Sequence, residues 1–100
     1  ILGPMNEENT QDRVRIIISG RVQGVGYRSS IKTAADAAAV TGTVRNLADG
    51  TVEVCAEAEQ DVLTAFVGAV HRGAPLGEIH DMDIEWTAGD GSWSEFRIEP

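Results

Sequence analysis

The fold is decided by one stretch of the sequence, residues 14–38, which reads VRIIISGRVQGVGYRSSIKTAADAA. Its first part, residues 14–19, is rich in β-branched side chains and predicts a mostly buried strand. Gly20 ends this strand, and residues 21–26 form a glycine-punctuated loop. The apolar residues that follow recur at helical spacing and predict a helix with one apolar face: Tyr27, Ile31, Ala34, Ala35 and Ala38.

The rest of the chain predicts further strands and one more helix. In order, these are strands at 43–46 and 51–58 joined by a turn at Asp49-Gly50, a helix at 60–72, and strands at 79–86 and 94–98. Together the elements follow the order βαββαβ with one extra short strand. This order predicts an α+β, ferredoxin-like sandwich, with an antiparallel sheet of four to five strands and two helices on one face.

Length and composition fit one domain. One hundred residues, 42% of them apolar, allow a single modest core. Residues 1–12 are predicted to be a disordered tail with a cleavage scar before Met5, and residues 13–100 the folded domain. The single cysteine fits the reducing cytoplasm, and no apolar run approaches the roughly 20 residues that span a bilayer. A monomer is the default expectation.

The net charge of −8 is unevenly distributed. Taken as a whole, it argues against nucleic acid and anionic membranes as partners, because both are polyanions. Residues 13–46, however, carry a local charge of +5, because Asp36 is the only acid among six bases: Arg13, Arg15, Arg21, Arg28, Lys32 and Arg45. This segment is therefore expected to handle an anion.

The loop at residues 20–28 is where this anion is expected to bind. Gly24 and Gly26 permit conformations that turn successive N–H groups inward, and Arg28 faces the same space from the first helical turn. A flexible glycine turn with a solvent-exposed arginine explains the loop composition equally well. The loop lacks a Walker A motif, and Ser29 stands where a dinucleotide fingerprint needs its third glycine, so no nucleotide site is indicated.

Two segments identify a family. Residues 20–28, GRVQGVGYR, and residues 42–46, GTVRN, closely resemble the acylphosphatase family. The resemblance covers residues 14–98 and includes the order of the elements and the Asp-Gly hairpin. It implies an enzyme that hydrolyses small-molecule acyl phosphates to carboxylate and inorganic phosphate, without a metal or a cofactor.

The resemblance also implies roles for individual residues. The functional arginine of the family corresponds to Arg28, and its functional asparagine corresponds to Asn46. Thr43 stands where tryptophan is common and Tyr27 where phenylalanine is usual, which bears on packing and stability more than on activity. Without the resemblance, an asparagine before a turn would be interpreted as a local backbone cap. The phosphate-binding loop corresponds to Arg21, Val22, Gln23, Gly24, Val25, Gly26 and Tyr27.

Other chemistries have less support in the sequence. Asp81 and Asp83 are expected on the solvated face of a strand rather than in a metal site. His71 and His80 lie on different elements and lack the partners of a zinc site. Cys55 lies between two glutamates that would raise its pKa, so it is not expected to be a nucleophile.

Two alternative functions stay open. One is an acylphosphatase-like module of a larger enzyme, such as a hydrogenase-maturation carbamoyltransferase. The other is a non-catalytic ferredoxin-like binding domain, for example for RNA. RNA-recognition domains of this topology carry aromatic platforms on their central strands, whereas residues 16–18 and 52–56 contain no aromatic side chain.

Overall fold

A strand, a loop and a helix form in the predicted order at the start of the domain, but the strand is longer at both ends than predicted. It continues through Gly20, which was expected to end it, to Arg21, which was expected in the loop, because both still pair with a neighbouring strand. The computed structural model describes residues 11–24, 26–73 and 77–100. Gln11 and Asp12, which were expected in the tail, belong to the first strand; residues 1–10, with the expected cleavage scar, lie outside the described residues. The elements are β1 (Gln11–Arg21), α1 (Tyr27–Ala38), β2 (Thr41–Asn46), β3 (Val52–Glu59), α2 (Gln60–Arg72), β4 (Glu78–Ala88) and β5 (Phe96–Ile98).

These five strands form one sheet in the order β4-β1-β3-β2-β5. β1 pairs antiparallel with both β3 and β4, and β2 pairs antiparallel with β3. β5 is the exception to the antiparallel arrangement that the sequence predicts, because it runs parallel to β2 with Val44 beside Ile98. After β4 the chain crosses the end of the sheet and enters β5 at the opposite edge. β5 therefore runs opposite to β4 and in the same direction as β2. The residues after β5 therefore arrive at the same end of the sheet as Asn46.

One face of the sheet carries the hydrophobic core. Alternation along β1 and β3 buries Val14, Ile16 and Ile18 together with Val52 and Val54, as predicted. The two helices cover this same face, which confirms the ferredoxin-like arrangement. They bury six side chains in the core: Tyr27, Ile31, Ala35, Leu63, Phe66 and Val70.

The opposite face of the sheet is polar and holds an ion-paired carboxylate at its centre. Glu53 is only 7% exposed and accepts hydrogen bonds from Arg15 and Arg45 at 2.8 and 2.7 Å. Burial raises the pKa of Glu53, but the hydrogen bonds from Arg45 and Arg15 outweigh burial and hold it below its usual range. Glu53 therefore joins β1, β2 and β3 across the outer face.

A second buried carboxylate fixes the connection between β4 and β5. Glu57 is 1% exposed and accepts a hydrogen bond of 2.8 Å from Arg13. It also accepts hydrogen bonds from the backbone N–H groups of Asp90 and Gly91, at 3.2 and 3.0 Å. Because these residues belong to the connection that leads to β5, Glu57 holds that connection against the end of the sheet.

The apolar face of β4 is less covered than the sequence suggests. Alternation places Ile84 and Trp86 on the helix side, opposite Ile16 and Val14 of β1. They nevertheless remain 39% and 43% exposed. β4 is an edge strand, and α2 packs against β1 and β3 instead. Neither helix in the described part of the chain is long and apolar enough to cross a membrane.

Gly42 in β2 provides a test of the packing between β2 and β3. Its φ of 142° lies in the region that favours glycine, and a Cβ atom there would overlap the backbone carbonyl oxygen of Cys55. We expect Gly42→Ala to lower the free energy of unfolding by about 3 kcal/mol, since backbone strain and overpacking add. The measurement is urea unfolding. Gly50→Ala is the control, because Gly50 has a positive φ of 93° with open space around it and should cost only about 1 kcal/mol. Equal losses in the two variants would contradict the predicted overlap.

Tyr27 provides a second test, through the pH dependence of stability. Its hydroxyl donates a hydrogen bond of 2.6 Å to the Val70 carbonyl in α2, and burial raises the pKa of Tyr27 to about 12. The unfolded phenol has a pKa of about 10, so between these values the folded state keeps a proton that the unfolded state releases. The stability that this group contributes is therefore complete below pH 10 and is lost as the pH rises toward 12.

We expect Tyr27→Phe to lose less stability than the wild type between about pH 9 and about pH 11, because phenylalanine does not titrate. The measurement is urea unfolding of both proteins at the two pH values. Other groups titrate in both proteins, so the difference between the two losses reports on Tyr27 alone. Equal losses of stability in the two proteins would show that the pKa of Tyr27 does not differ between the folded and unfolded states.

Candidate active site

A small cleft lies where the loop after β1, the start of α1 and the end of β2 meet. Its volume of about 110 Å³ is far below the roughly 300–1,000 Å³ of pockets for drug-sized ligands. The cleft therefore suits an ion-sized group rather than a whole nucleotide. Its lining comprises Val22, Gly24, Gly26, Tyr27, Arg28, Ser29, Asn46 and Ile98.

The loop before α1 leaves backbone donors free at this cleft. Gly24 and Gly26 have φ values of 76° and 78°, and a Cβ atom at either position would meet open space. Glycine is therefore needed for the backbone conformation rather than for room. Gly26 is the N-cap of α1 and offers no side chain to bond the first N–H groups of the helix, so these groups remain available to an anion. Val25, also predicted in this loop, lies outside the described residues.

Arg28 is held at the cleft by the backbone rather than by a carboxylate. Its Nη1 donates a hydrogen bond of 3.1 Å to the carbonyl oxygen of Glu99. The Glu99 N–H in turn donates to the Val44 carbonyl at 2.9 Å, which fixes Glu99 beside β2. Within residues 11–24, 26–73 and 77–100, no carboxylate forms an ion pair with Arg28. The guanidinium is oriented but not neutralised, and its other donors remain available.

Ion pairing removes most of the local positive charge that the sequence shows. Arg21 is exposed at the end of β1 and does not line the cleft. Of the six bases, only Arg28 is placed to meet an anion there, because four others have acidic partners: Arg13 with Glu57 and Asp90, Arg15 and Arg45 with Glu53, and Lys32 with Asp36.

Asn46 brings a buried, unpartnered oxygen to the same cleft. It is the last residue of β2, and its Oδ1 has no hydrogen-bond partner in the described part of the chain. A buried polar atom without a partner costs about 1–3 kcal/mol, so its position needs an explanation. The capping interpretation does not supply one, because Asp49 caps the turn instead, with Oδ1 accepting from the Thr51 N–H at 3.0 Å. The Oδ1 of Asn46 is therefore free to accept a hydrogen bond from a ligand or a water molecule.

The polar ends of two side chains of the predicted loop bond outside the cleft, although Tyr27 is among the lining residues. The Gln23 amide donates to the carbonyl oxygens of Leu47 and Thr51, and the Tyr27 hydroxyl donates to Val70. Two further lining residues, Ser29 and Ile98, were not predicted from the sequence. Ile98 reaches the cleft through the parallel pairing of β5 with β2, which no local pattern signals.

The other candidate groups gain no support. Burial and the charge of Glu53 raise the pKa of Cys55 against the lowering effect of nearby arginines, so its thiol stays protonated. Asp81 and Asp83 are exposed on β4. No group of three His, Cys, Asp or Glu residues that could hold a metal ion occurs in the described ranges.

Comparison with known proteins shows which family has this fold and these motifs. The family model described as acylphosphatase matches residues 14–98. An acylphosphatase of Bacillus licheniformis is 42% identical over 84 residues, which make up 84% of this chain and 93% of that protein. The crystal structure of acylphosphatase from Bacillus subtilis has a TM-score of 0.85 and 36% identity, covering 89% of this chain and 99% of that chain.

A third similarity concerns the fold alone. The crystal structure of full-length HypF in the phosphate- and nucleotide-bound form has a TM-score of 0.81 at 21% identity, and the match covers 92% of this chain but 12% of that chain. The family model covers most of the sequence, including GRVQGVGYR and GTVRN, the two segments that form the cleft. The chain belongs to the acylphosphatase family.

Proposed function

We propose that the chain hydrolyses the carboxyl–phosphate bond of small acyl phosphates at the cleft between Arg28 and Asn46, without a metal or a cofactor. One observation carries this assignment of the site. Among the residues that the structure describes, a guanidinium without an acidic partner and a buried amide oxygen without any partner line the same small cleft. The first suits a phosphoryl group, and the second suits the attacking water.

Arg28 binds and orients the phosphoryl group. Its planar guanidinium offers paired N–H donors that match two phosphoryl oxygens, which the single ammonium group of lysine matches poorly. The N–H groups of the loop and of the first turn of α1 hold the third oxygen. Since an acyl phosphate already has a good leaving group, positioning and charge stabilisation are most of what its hydrolysis requires.

Asn46 orients the water that attacks phosphorus. Its Oδ1 accepts a hydrogen bond from the water and directs the water oxygen in line with the bond to the acyl oxygen. The new bond forms between the water oxygen and phosphorus, while the bond between phosphorus and the acyl oxygen breaks and its electron pair leaves with the carboxylate. The phosphoryl group takes the proton of the water, so no side chain needs to act as a base.

We also propose that the enzyme acts as a cytoplasmic monomer, with no nucleic acid or membrane as partner. All residues assigned to the site come from one chain. The net charge of −8 opposes binding to polyanions, and a single cysteine suits a reducing compartment. The alternative of a module in a larger enzyme has weaker support, because the likeness to the longer HypF chain, at 21% identity, concerns the fold alone.

Replacement of Arg28 tests the phosphoryl site. We expect Arg28→Ala to lower kcat/KM for acetyl phosphate by about 10²–10³, the usual effect of removing one preorganised donor, and Arg28→Lys to recover only a small part of it. The measurement is steady-state hydrolysis in the presence of EDTA. Arg72→Ala is the control, since it removes one positive charge from an exposed position outside the cleft. Wild-type activity in Arg28→Ala would refute the assignment, and loss of wild-type activity on adding EDTA would refute metal independence.

Replacement of Asn46 tests the position of the water. We expect Asn46→Ala to lower kcat by about 10²–10³. The inhibition constant of inorganic phosphate should change by less than about threefold, because Arg28 and the loop amides are intact. The free energy of unfolding should not fall, because the variant removes a buried oxygen that has no partner. A variant that loses stability in step with activity would instead indicate a structural role.

A further inference from the structure

Gln23 joins the anion-binding loop to the β2–β3 hairpin. Its Nε2 donates hydrogen bonds of 2.9 Å to the carbonyl oxygens of both Leu47 and Thr51. These two residues flank the turn, because the Leu47 N–H donates to the Thr51 carbonyl at 2.8 Å. Both N–H donors of the Gln23 side chain are thus used on the hairpin, and none is left for a ligand.

The hairpin that Gln23 contacts carries Asn46. Asn46 pairs with Val52 at the last position of the β2–β3 ladder and immediately precedes Leu47. The turn beyond it is stiffened from within by Asp49, which accepts hydrogen bonds from the backbone N–H and the hydroxyl of Thr51. The hydrogen bonds of Gln23 and Asp49 therefore fix the hairpin directly beside Asn46.

Among the hydrogen bonds of the described residues, the two from Gln23 are the only ones from the loop at 21–24 and 26 to residues 46–51. The loop holds the phosphoryl group and the hairpin carries the residue that orients the water. These two halves of the site come from separate parts of the sequence. The β1–β3 ladder and the hydrogen bonds from Arg28 to Glu99 and from Glu99 to Val44 also hold the strands on either side. At the hairpin itself, the position of the loop depends on the two bonds from Gln23.

We propose that Gln23 is a positioning residue for Asn46: it fixes the distance between the phosphoryl group and the attacking water, and it does not touch the substrate with its side chain. This inference rests on the function proposed above. It also gives Gln23 a different role from that of the phosphate-binding loop in which the sequence places it. A displacement of about 1 Å between reacting groups is enough to slow a reaction by up to about 10²-fold. Loss of the two hydrogen bonds from Gln23 should therefore lower kcat.

A double-mutant cycle tests this role. Gln23→Met keeps the length of the side chain but removes both donors, and we expect it to lower kcat for acetyl phosphate by about tenfold. In an Asn46→Ala background the same change should lower kcat by less than about twofold, because Gln23 acts through Asn46. The inhibition constant of inorganic phosphate should change by less than about threefold in both backgrounds.

Two outcomes of the cycle would overturn the proposal. One is an equal loss of kcat in the two backgrounds, and the other is an inhibition constant that rises as far as kcat falls. Wild-type kcat in Asn46→Ala would instead refute the proposed function itself, so the two failures are distinguishable. If Gln23→Met does not fold, Gln23→Leu serves in the same cycle, because its side chain is neutral and also has no donor for the two carbonyl oxygens.

Asp49→Ala is the matched control for general loosening of the hairpin. It removes the two hydrogen bonds that the Asp49 carboxylate accepts from Thr51 but leaves both bonds of Gln23 in place. We expect it to lower the free energy of unfolding while kcat stays within about twofold of the wild type. If it lowers kcat as much as Gln23→Met does, then stiffness of the hairpin in general, and not the bridge from Gln23, controls the rate, and the proposal is wrong.

Discussion

The proposed active site depends on a guanidinium that has no acidic partner among the described residues, in a protein with sixteen acidic residues. A carboxylate beside Arg28 would occupy the donors that a phosphoryl group needs and would repel the substrate. The fold avoids this by orienting Arg28 with the Glu99 carbonyl, which is a dipole and not a charge. The acidic side chains of β4 stand at the sheet edge farthest from β2 and β5. Glu53 and Glu57 are used on the outer face, where they neutralise other arginines.

The features that make the site suitable for an anion lower the stability of the folded protein when no anion is bound. A positive side chain in the first turn of α1 opposes the helix dipole, which costs about 0.3–1 kcal/mol. Gly26 offers no side-chain cap for α1, and the oxygen of Asn46 is buried with no partner in the described ranges. A phosphoryl group and a water molecule would satisfy all of these at once. The cleft thus departs from local rules of stability where function requires it, and the core and the outer-face ion pairs supply the stability elsewhere.

The sequence predicts most of the fold because alternation and helical spacing are local signals. They place the buried faces of β1 and β3 and both helices within a few residues. The parallel pairing of β5 with β2 was not predicted, because strand order depends on a connection that crosses the end of the sheet, and local spacing carries no record of it. The exposure of Ile84 and Trp86 has the same origin. Alternation predicts which face of β4 a side chain lies on, but it does not predict that the helices leave the β4 edge of the sheet uncovered.

The candidate site shows the corresponding limit at the level of single side chains. The segment GRVQGVGYR names the residues of the loop, but a motif does not tell where each side chain points. Arg28 faces the cleft, the amide of Gln23 reaches the hairpin, and the hydroxyl of Tyr27 reaches α2. One short segment therefore meets two requirements, since it supplies donors for the anion and attaches the loop to neighbouring elements. Under the proposed mechanism, binding a phosphoryl group needs only the first requirement. Hydrolysis also needs Asn46 at a fixed distance, and the hydrogen bonds of Gln23 meet this second requirement.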